Sequence, residues 1–428
     1  MGKDKSKNLV GQPLFKQIVK MLPKDEFDLL VAKCGSDRYY KTFFSWEQLI
    51  VMLFGIFSRC DSMGEVCDGM RALGGKLNYL GMDVAPAKST AGDALRDRDE
   101  ELFRLYYFAL ISYFRPLLSV SRKKDVSFDE FYAFDSTTMT LFSQVMQGVG
   151  RNPKGEGKKK GGLKVHMLTD VHTETAVFAK ISEAKMHDKK FLAHLNPGRG
   201  SMLVFDKAYN YYLQFAEWTQ EGVNFVCRLK DNAKVQVQEV LFERTLSKEE
   251  FGVYKVEHIH LDYKQDKQVK TVCLRLVHYK DEQKRKYKFI TNNWSITPEE
   301  VALIYKYRWT IELSFKKLKQ NFQLHFFYSD TENGIKTQVW CTLIAHLLLQ
   351  VIQVVNESKK AFSTIAALIR IHLISHLELA WVVTEGRRAY TKRGKAGTKA
   401  PRPYKCRCFK GGRFSENKKW NYNNIDIK

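Results

Sequence analysis

Four polar residues recur in one predicted helix with a spacing that suits metal and phosphate chemistry. Tyr305, Arg308, Glu312 and Lys319 lie at offsets of 0, 3, 7 and 14 residues within the segment 297–322. At 3.6 residues per turn, all four fall within roughly 60° of each other on the helix surface. The carboxylate on this stripe could bind a divalent cation. The arginine could hold phosphate oxygens by bidentate geometry, and the lysine could do so as a point charge.

The same segment carries the signals of a helix that docks on a core. Its apolar residues repeat at steps of three and four on a neighbouring stripe: Ile304, Tyr307, Ile311, Phe315, Leu318 and Phe322. Thr297, Pro298 and Glu300 have the types expected of an N-cap, a first-turn proline and the reciprocal glutamate of a capping box. The pattern therefore predicts one helix from Thr297 to Phe322.

Two aspartates precede this helix, each placed at the end of a short predicted strand. The segment F-D-S-T-T contains Asp135, and L-V-F-D-K-A-Y contains Asp206. Asp135 precedes Asp206 by 71 residues, and Asp206 precedes Glu312 by 106 residues. A single aspartate at a strand end is more often a cap or a surface residue. Three carboxylates in this order, with the polar stripe around the last one, favour a shared site whose hard oxygen ligands suit Mg²⁺ or Mn²⁺.

The spacing Y-x2-R-x3-E-x6-K matches the Y-R-E-K signature of the bacterial DDE transposases of insertion-sequence family four. The segments around Asp135 and Asp206 resemble that family's first and second catalytic aspartates. This resemblance covers about residues 125–350. It implies an α/β fold, in which an RNase H-like catalytic core is interrupted by an inserted antiparallel β-domain. It also implies that Asp135, Asp206 and Glu312 are catalytic and bind two Mg²⁺ ions roughly 3.5–4 Å apart, for which Mn²⁺ can substitute.

Further residues are candidates for contacts with DNA. Tyr305, Arg308 and Lys319 are expected to meet phosphates of the element ends, although each could instead be structural. Lys164 and His166 lie on the second predicted strand and are expected near the same site. For His166, an ordinary core or edge histidine is an equally weighted alternative.

Two other motifs keep two interpretations each. Trp294, in T-N-N-W-S-I-T, could stack on a flipped base if cleavage passes through a hairpin, or could belong to the core. His258 and His260 alternate in H-I-H, so they share one face of a predicted strand and could bind a metal ion. An exposed strand face is the alternative for this pair.

The order of predicted elements divides the chain into segments. Residues 1–120 contain apolar helical runs and predict a helical N-terminal domain with DNA contacts. Strand patterns predict the first part of the core at 125–230 and the inserted β-domain at 231–290. The second part of the core, with the Glu312 helix, is expected at 291–358, and a basic C-terminal region at 359–428.

Two basic features within these segments are candidates for contacts with DNA. The helix that opens near Lys88 carries Arg96 and Arg98, and could contact DNA or be an ordinary solvated helix. The glycine- and lysine-rich run at 152–162 predicts a flexible basic loop that tracks a phosphate backbone.

Composition favours a polyanionic partner. The 428 residues include 70 Lys and Arg against 47 Asp and Glu, a formal charge of +23, and each phosphate that is neutralised releases a condensed counterion. The longest apolar stretch, from Cys341, contains His346 and two glutamines and predicts a buried helix, so no membrane partner is expected. A cytoplasmic, nucleoid-associated bacterial protein is expected, since the first residues lack the apolar region of a signal peptide. No phosphate-binding G-x-x-x-x-G-K-[ST] loop is present, so no nucleotide cofactor is expected.

The sequence thus predicts a DNA transposase that binds the terminal inverted repeats of its own insertion sequence, cleaves the ends and joins them to target DNA. The resemblance implies a homodimer in the DNA-bound synaptic complex. Two alternatives remain open: a catalytically silent DNA-binding protein derived from a transposase, and an RNase H-like nuclease without strand transfer.

Overall fold

A mixed sheet of nine strands runs through the part of the chain that the structure describes. This computed structural model describes residues 11–119, 128–141, 162–186, 189–322, 324 and 326–384. The predicted basic loop, up to residue 161, and the basic C-terminal segment from residue 385 lie outside the described residues.

The strands are numbered in chain order. They are β1 Phe131–Thr140, β2 Gly162–Asp170, β3 Ala176–Glu183, β4 Met202–Phe205, β5 Asn224–Arg228, β6 Gln236–Glu243, β7 Gly252–Gln265, β8 Gln268–Lys280 and β9 Lys286–Thr291. Their order across the sheet is β3-β2-β1-β4-β5-β9-β8-β7-β6. The first three strands are antiparallel, β1, β4 and β5 are parallel, and β9, β8, β7 and β6 continue antiparallel from β5. Parallel pairing brings the end of β4 beside the middle of β1, next to Phe134.

The helices surround this sheet and form most of the N-terminal region. They are α1 Leu14–Val19, α2 Lys24–Cys34, α3 Ser45–Ser58, α4 Met63–Ala72, α5 Lys88–Asp97, α6 Glu101–Ser119, α7 Lys189–Leu192, α8 Tyr212–Glu221, α9 Pro298–Lys306, α10 Trp309–Asn321, α11 Glu332–Val355, α12 Phe362–His372 and α13 Leu379–Thr384. The predicted α/β class and the helical N-terminal region are therefore confirmed.

Each face of the sheet covers its own hydrophobic core, because side chains alternate along every strand. On one face, Ala133 and Val204 pack in a cluster that includes Ile311 of α10 and most of α11. On the other face, Phe134 and Phe205 stack with ring centroids 4.4 Å apart and pack with residues of α7 and α8. Neighbouring residues of β1 thus belong to opposite cores, which fixes the direction in which a polar residue on this strand points.

Helix α11 is the central helix of the first core. It passes a length and composition test for a membrane span, but 83% of the tested window is buried inside the protein. Helices α3, α5, α6 and α12 all pack against it. The prediction of a buried helix in this segment is confirmed.

The predicted inserted segment at 231–290 contains β6 to β8 and most of β9. Alternation of polar and apolar residues in these strands was the basis for the prediction, and the strands are antiparallel as expected. They do not form a separate sheet, because β9 pairs with β5 and makes the insertion continuous with the remaining strands. The division of the chain into domains stays a prediction.

The predicted single helix from Thr297 to Phe322 is wrong in one respect. Thr297 and Glu300 do form the predicted capping box, with reciprocal hydrogen bonds of 3.2 and 2.6 Å, but α9 ends at Lys306 and α10 begins at Trp309. Between them the backbone tightens, since Arg308 N–H donates to the carbonyl of Tyr305, three residues earlier. Aromatic and β-branched residues in Y-R-W-T-I have lower helix propensity, which agrees with a break at this point.

Arg98, a candidate for DNA contact, is an internal anchor of the N-terminal region. The residue is 2% exposed, and its side chain donates to Gln48 Oε1 at 2.5 Å and to the carbonyls of Phe43 at 2.9 Å and Ser36 at 3.1 Å. Its Nη2 also lies 3.3 Å from Asp37. A guanidinium with these contacts inside the protein has no surface left for DNA, so at Arg98 neither alternative for this helix, DNA contact or a solvated face, is right.

Replacing Arg98 by methionine should lower the free energy of unfolding by about 2–4 kcal/mol, because several buried acceptors lose their donor. Urea denaturation measures this change. Arg96→Met is the matched control, since Arg96 is 56% exposed and pairs with the surface aspartates Asp93 and Asp97. The urea midpoint of Arg96→Met should equal that of the wild type. Equal midpoints for all three proteins would contradict the assigned role of Arg98.

Candidate active site

Asp135 and Asp206 lie side by side on the sheet. Strands β1 and β4 are parallel, and their register pairs Phe134 with Phe205, the residues that directly precede the two aspartates. Asp206 caps the short 3-10 helix Lys207–Tyr209 and accepts a hydrogen bond from the Ala208 N–H at 3.4 Å. Adjacent central strands were predicted for this pair, although Asp135 lies within β1 and not at its end.

Arg308 brings the third carboxylate to this pair. Its Nη1 donates to Glu312 Oε1 at 2.5 Å and lies 3.9 Å from Asp135 Oδ2. The arginine side chain is only 12% exposed, whereas that of Glu312 is 36% exposed. Because one largely buried cation contacts both residues, the carboxylates of β1 and α10 converge on the same place.

The environment of Asp135 is unusual for a carboxylate. Its pKa is raised to about 6, chiefly by burial and in smaller part by the negative charges of Asp206 and Glu312. The Ser136 N–H, which donates to Asp135 Oδ1 at 2.7 Å, and Arg308 oppose this shift. The three carboxylates are thus close enough to repel each other, and a divalent cation between them would relieve that repulsion.

Tyr305 contacts the second aspartate. Its hydroxyl donates to Asp206 Oδ1 at 3.3 Å, and its ring packs on Phe289 with centroids 4.7 Å apart. Burial raises the pKa of the Tyr305 hydroxyl, so it stays protonated and can donate at neutral pH. The guanidinium of Arg308 lies 5.6 Å from the ring centroid, which links the tyrosine to the same cluster.

Lys319 reaches the far end of β1. Its Nζ donates to the carbonyl oxygen of Thr138 at 3.2 Å, three residues beyond Asp135. Burial lowers the pKa of this lysine. Although the helix is broken after Lys306, Tyr305, Arg308 and Lys319 therefore contact the aspartates or strand β1, and Glu312 joins them through Arg308.

The structure separates Lys164 and His166 from this cluster. In the ladder between β1 and β2, Ser136 pairs with His166 and Thr138 with Lys164. Paired residues point to the same side, so these two point away from the face that carries Asp135. They were expected near the site because β2 is adjacent to β1. Side chains alternate between the two faces of the sheet, however, and these two lie on the face opposite Asp135.

His166 in particular occupies the second core. It is 0% exposed, its Nε2 lies 3.1 Å from Ser182 Oγ, and its ring stacks on Phe191 at 4.7 Å. Lys164 is 8% exposed and donates to the carbonyl of Met186 at 3.1 Å. This packing agrees with the structural alternative for His166 and gives neither side chain a surface for DNA in this conformation.

Arg228 is a neighbour of the site that sequence reasoning missed. It is the last residue of β5, which pairs in parallel with β4. The register pairs Phe205 with Cys227, the residues directly before Asp206 and Arg228, so these two side chains are neighbours. The charge of Arg228 acts on Tyr305, where it partly offsets the rise in pKa that burial causes. The position of Arg228 at the end of a predicted strand was visible in the sequence, and the ends of parallel strands meet at one edge of a sheet. Using this signal requires knowing that β5 is the neighbour of β4.

Trp294 is not a core residue. Its side chain is 47% exposed and its ring lies edge-on to His258, with centroids 5.3 Å apart. The core alternative for this residue is therefore wrong.

Comparison with known proteins supplies the family context for this site. A family model described as "Transposase DDE domain" matches residues 126–348, just over half of the chain. This range contains the three carboxylates, Tyr305, Arg308 and Lys319. A second model, described as a domain of unknown function, DUF4372, matches residues 10–83, which span α1 to α4 and the 3-10 helix that follows.

Individual relatives are distant. A Sinorhizobium fredii protein named as a candidate transposase, y4zB, is 25% identical over 48% of this chain and 57% of its own length. A Geobacillus stearothermophilus protein, named as the probable transposase of insertion sequence element IS5377, is 26% identical over 50% of this chain and 55% of its own. The transposase of element IS231C from Bacillus thuringiensis is 22% identical over 71% and 72% of the two chains. The chain thus spans little more than half the length of the first two relatives.

Proposed function

This chain belongs to the transposase DDE domain family, as its resemblance to bacterial insertion-sequence transposases predicted, and on that premise we propose that it is the DNA transposase of its own insertion sequence. It binds the terminal inverted repeats of the element, cleaves the ends by metal-dependent phosphoryl transfer and joins them to target DNA. The excess of basic residues, with a formal charge of +23, supports a DNA partner.

One observation carries this proposal. Asp135, Asp206 and Glu312 come from three separate elements, and a single largely buried arginine together with mutual electrostatic effects ties them into one cluster. A structural ion pair needs only one carboxylate for each cation. Here three carboxylates interact with the one guanidinium of Arg308, and such a cluster of hard oxygen ligands suits divalent metal ions.

The fold proposal follows from the strand order. We assign β1 to β5 to an RNase H-like core, because three antiparallel strands are followed by two strands parallel to β1. Strands β6 to β9 are then the insertion, which extends the same sheet, and α10 returns the chain to the core with Glu312.

Membership of the family implies dependence on a divalent metal, typically Mg²⁺. The carboxylates of Asp135, Asp206 and Glu312 fit such ions, since their hard oxygen atoms are the ligands that Mg²⁺ and Mn²⁺ prefer. Two ions held there would supply activation of the attacking hydroxyl and stabilisation of the leaving 3′ oxygen.

The remaining residues of the site handle the DNA backbone. Arg308 is positioned beside two carboxylates, so it can bind the scissile phosphate and keep Glu312 in place. Tyr305 holds Asp206 through its hydroxyl and can donate the same proton to a phosphate oxygen. Lys319 adds a positive charge near Thr138, which follows Asp135 by three residues on β1. We propose that two copies act together on paired element ends, since both ends must be cut in one event.

The proposal is tested with a DNA fragment that carries the element's own inverted repeats. Cleavage at the repeat ends should require Mg²⁺ or Mn²⁺ and should not occur with Ca²⁺. A hairpin product would define the pathway, and joining to a second DNA would exclude the nuclease alternative. Specific binding without cleavage in Mg²⁺ would favour a catalytically silent DNA-binding protein.

Replacing Lys319 by alanine should weaken binding to the repeat ends by about 5- to 10-fold, because one phosphate contact is lost. The slope of log affinity against log salt should fall by about one unit. Lys317→Ala is the matched control on the same helix, since Lys317 points away and pairs with Glu174 at 2.6 Å. An unchanged salt slope with a lower thermal midpoint would show that Lys319 is only structural.

A further inference from the structure

Three soft or borderline metal ligands meet on the β7–β8 hairpin, outside the carboxylate cluster. His258 and His260 lie two residues apart on β7 and share one face of the strand. Cys273 of β8 is the direct register partner of His260. One ligand atom from each of these residues lies within 4.8 Å of the other two. The histidine pair was visible in the sequence, but the cysteine joins it only through the hairpin register.

The distances are close to those of a zinc site. The Cys273 sulfur lies 3.1 Å from His260 Nε2, and the two imidazole rings have centroids 5.4 Å apart. Zn–S bonds of about 2.3 Å and Zn–N bonds of about 2.0–2.1 Å place tetrahedral ligand atoms roughly 3.4–3.6 Å from each other. Small side-chain rotations are therefore enough to bring the three atoms around one ion, without movement of the strands.

The neighbouring charges also suit a cation. Glu239 of β6 is the register partner of His258, and Asp262 follows His260 by two residues on β7. Arg275, the partner of His258 on β8, is a positive group beside the cluster, and its Nη1 donates to the carbonyl of Ile296 at 2.6 Å. The two carboxylates outnumber this arginine, whose hydrogen bond to Ile296 turns Nη1 toward that carbonyl, so the local charge balance is compatible with a bound cation.

This cluster is separate from the carboxylate site. Both lie on the same face of the sheet, since the register connects Asp135 through β4, β5 and β9 to Cys273 and His258. Four strand spacings of about 4.8 Å separate β1 from β8, which is roughly 19 Å across the sheet. No ligand can be shared at that distance, and the donor types differ, with nitrogen and sulfur here and oxygen at the carboxylate site.

We propose that His258, His260 and Cys273 bind a Zn²⁺ ion. Two imidazoles and one thiolate are preferred ligands of zinc and poor ligands of Mg²⁺. Three protein ligands leave the fourth position of a tetrahedral site to solvent or to an added ligand, beside the exposed ring of Trp294. The ion ties β7 to β8 near Trp294. This inference does not depend on the proposed transposase activity.

The test uses the tag-free, metal-stripped full chain in excess Mg²⁺, so that the carboxylate site does not take up the probe. Titration with Co²⁺ should produce one equivalent of a thiolate-to-cobalt charge-transfer band, which Zn²⁺ removes by displacement. Cys273→Ser should abolish the band, and His258→Gln or His260→Gln should weaken Co²⁺ binding by about 10-fold or more. His372→Gln, a substitution on α12, should leave the titration unchanged. The absence of a band in the wild type, or its persistence in Cys273→Ser, would overturn the proposal.

Two further controls exclude other thiols. The double variant Cys406→Ser/Cys408→Ser removes the close cysteine pair near the end of the chain and should keep the band. Zn²⁺ should also slow alkylation of Cys273, an exposed thiol, by about 10-fold or more, while the half-buried Cys34 reacts at an unchanged rate. Peptide mass spectrometry resolves the two sites. Equal alkylation rates of Cys273 with and without Zn²⁺ would contradict a zinc site.

Discussion

Glu312→Gln should reduce cleavage of the element ends by at least about 10³-fold and leave specific binding of those ends nearly unchanged. The substitution removes the negative charge that a metal ligand needs, while the amide keeps the shape of the side chain. The amide oxygen of the glutamine can still accept the hydrogen bond from Arg308, which in the wild type reaches Glu312 at 2.5 Å. Stability should therefore change little. Gel shift and cleavage assays on the same labelled DNA separate the two effects.

Glu299→Gln provides the matched control for this variant. Glu299 lies in the first turn of α9, so the same chemical change there should leave both cleavage and binding at wild-type levels. Cleavage by Glu312→Gln at the wild-type rate would remove Glu312 from the catalytic set. A parallel loss of binding and thermal stability would indicate instead that the glutamate holds Arg308 for structural reasons.

Local sequence patterns singled out residues that the fold brings together, while their roles stay predictions. The spacing of Tyr305, Arg308, Glu312 and Lys319 identified side chains that do converge, and the strand patterns placed Asp206 at the end of β4. These features depend on residues close in sequence. The break between α9 and α10 was missed because the 3.6-residue pattern continues across it, since a turn of 3-10 geometry shifts the phase by only a fraction of a turn.

The errors concern contacts between distant segments. Lys164 and His166 were placed near the site because β2 is adjacent to β1, but the face to which each residue points depends on the register, which a single sequence does not encode locally. In the sequence, Arg98 looks like a DNA-binding arginine because it is a basic residue at the end of a predicted helix. Its hydrogen-bond partners lie about 50 to 60 residues earlier in the chain. Likewise, Cys273 joins His260 only once the hairpin register is known.

Asp135→Asn should abolish cleavage and at the same time stabilise the metal-free protein at neutral pH. Burial raises the pKa of Asp135 to about 6 from an ordinary value of 3.8, so between these two pH values the folded state binds more protons than the unfolded state. The contribution of Asp135 to stability is therefore greatest below pH 3.8 and is lost as the pH rises through 6. A shift of this size corresponds to an upper limit of about 3 kcal/mol.

Part of that gain is offset in the variant, because Arg308 loses one of its two carboxylate partners, the one at 3.9 Å. We therefore expect Asp135→Asn to exceed the wild type by about 1–2 kcal/mol in free energy of unfolding at pH 7.5 with EDTA, and by much less at pH 4.5. Urea denaturation at both pH values measures the difference, with Asp83→Asn, an exposed position, as the control. Mg²⁺ should stabilise the wild type and not the Asp135 variant. Parallel pH dependence of the two proteins in EDTA would show that Asp135 is not a strained, buried carboxylate, and Mg²⁺ stabilisation of both would place the metal elsewhere.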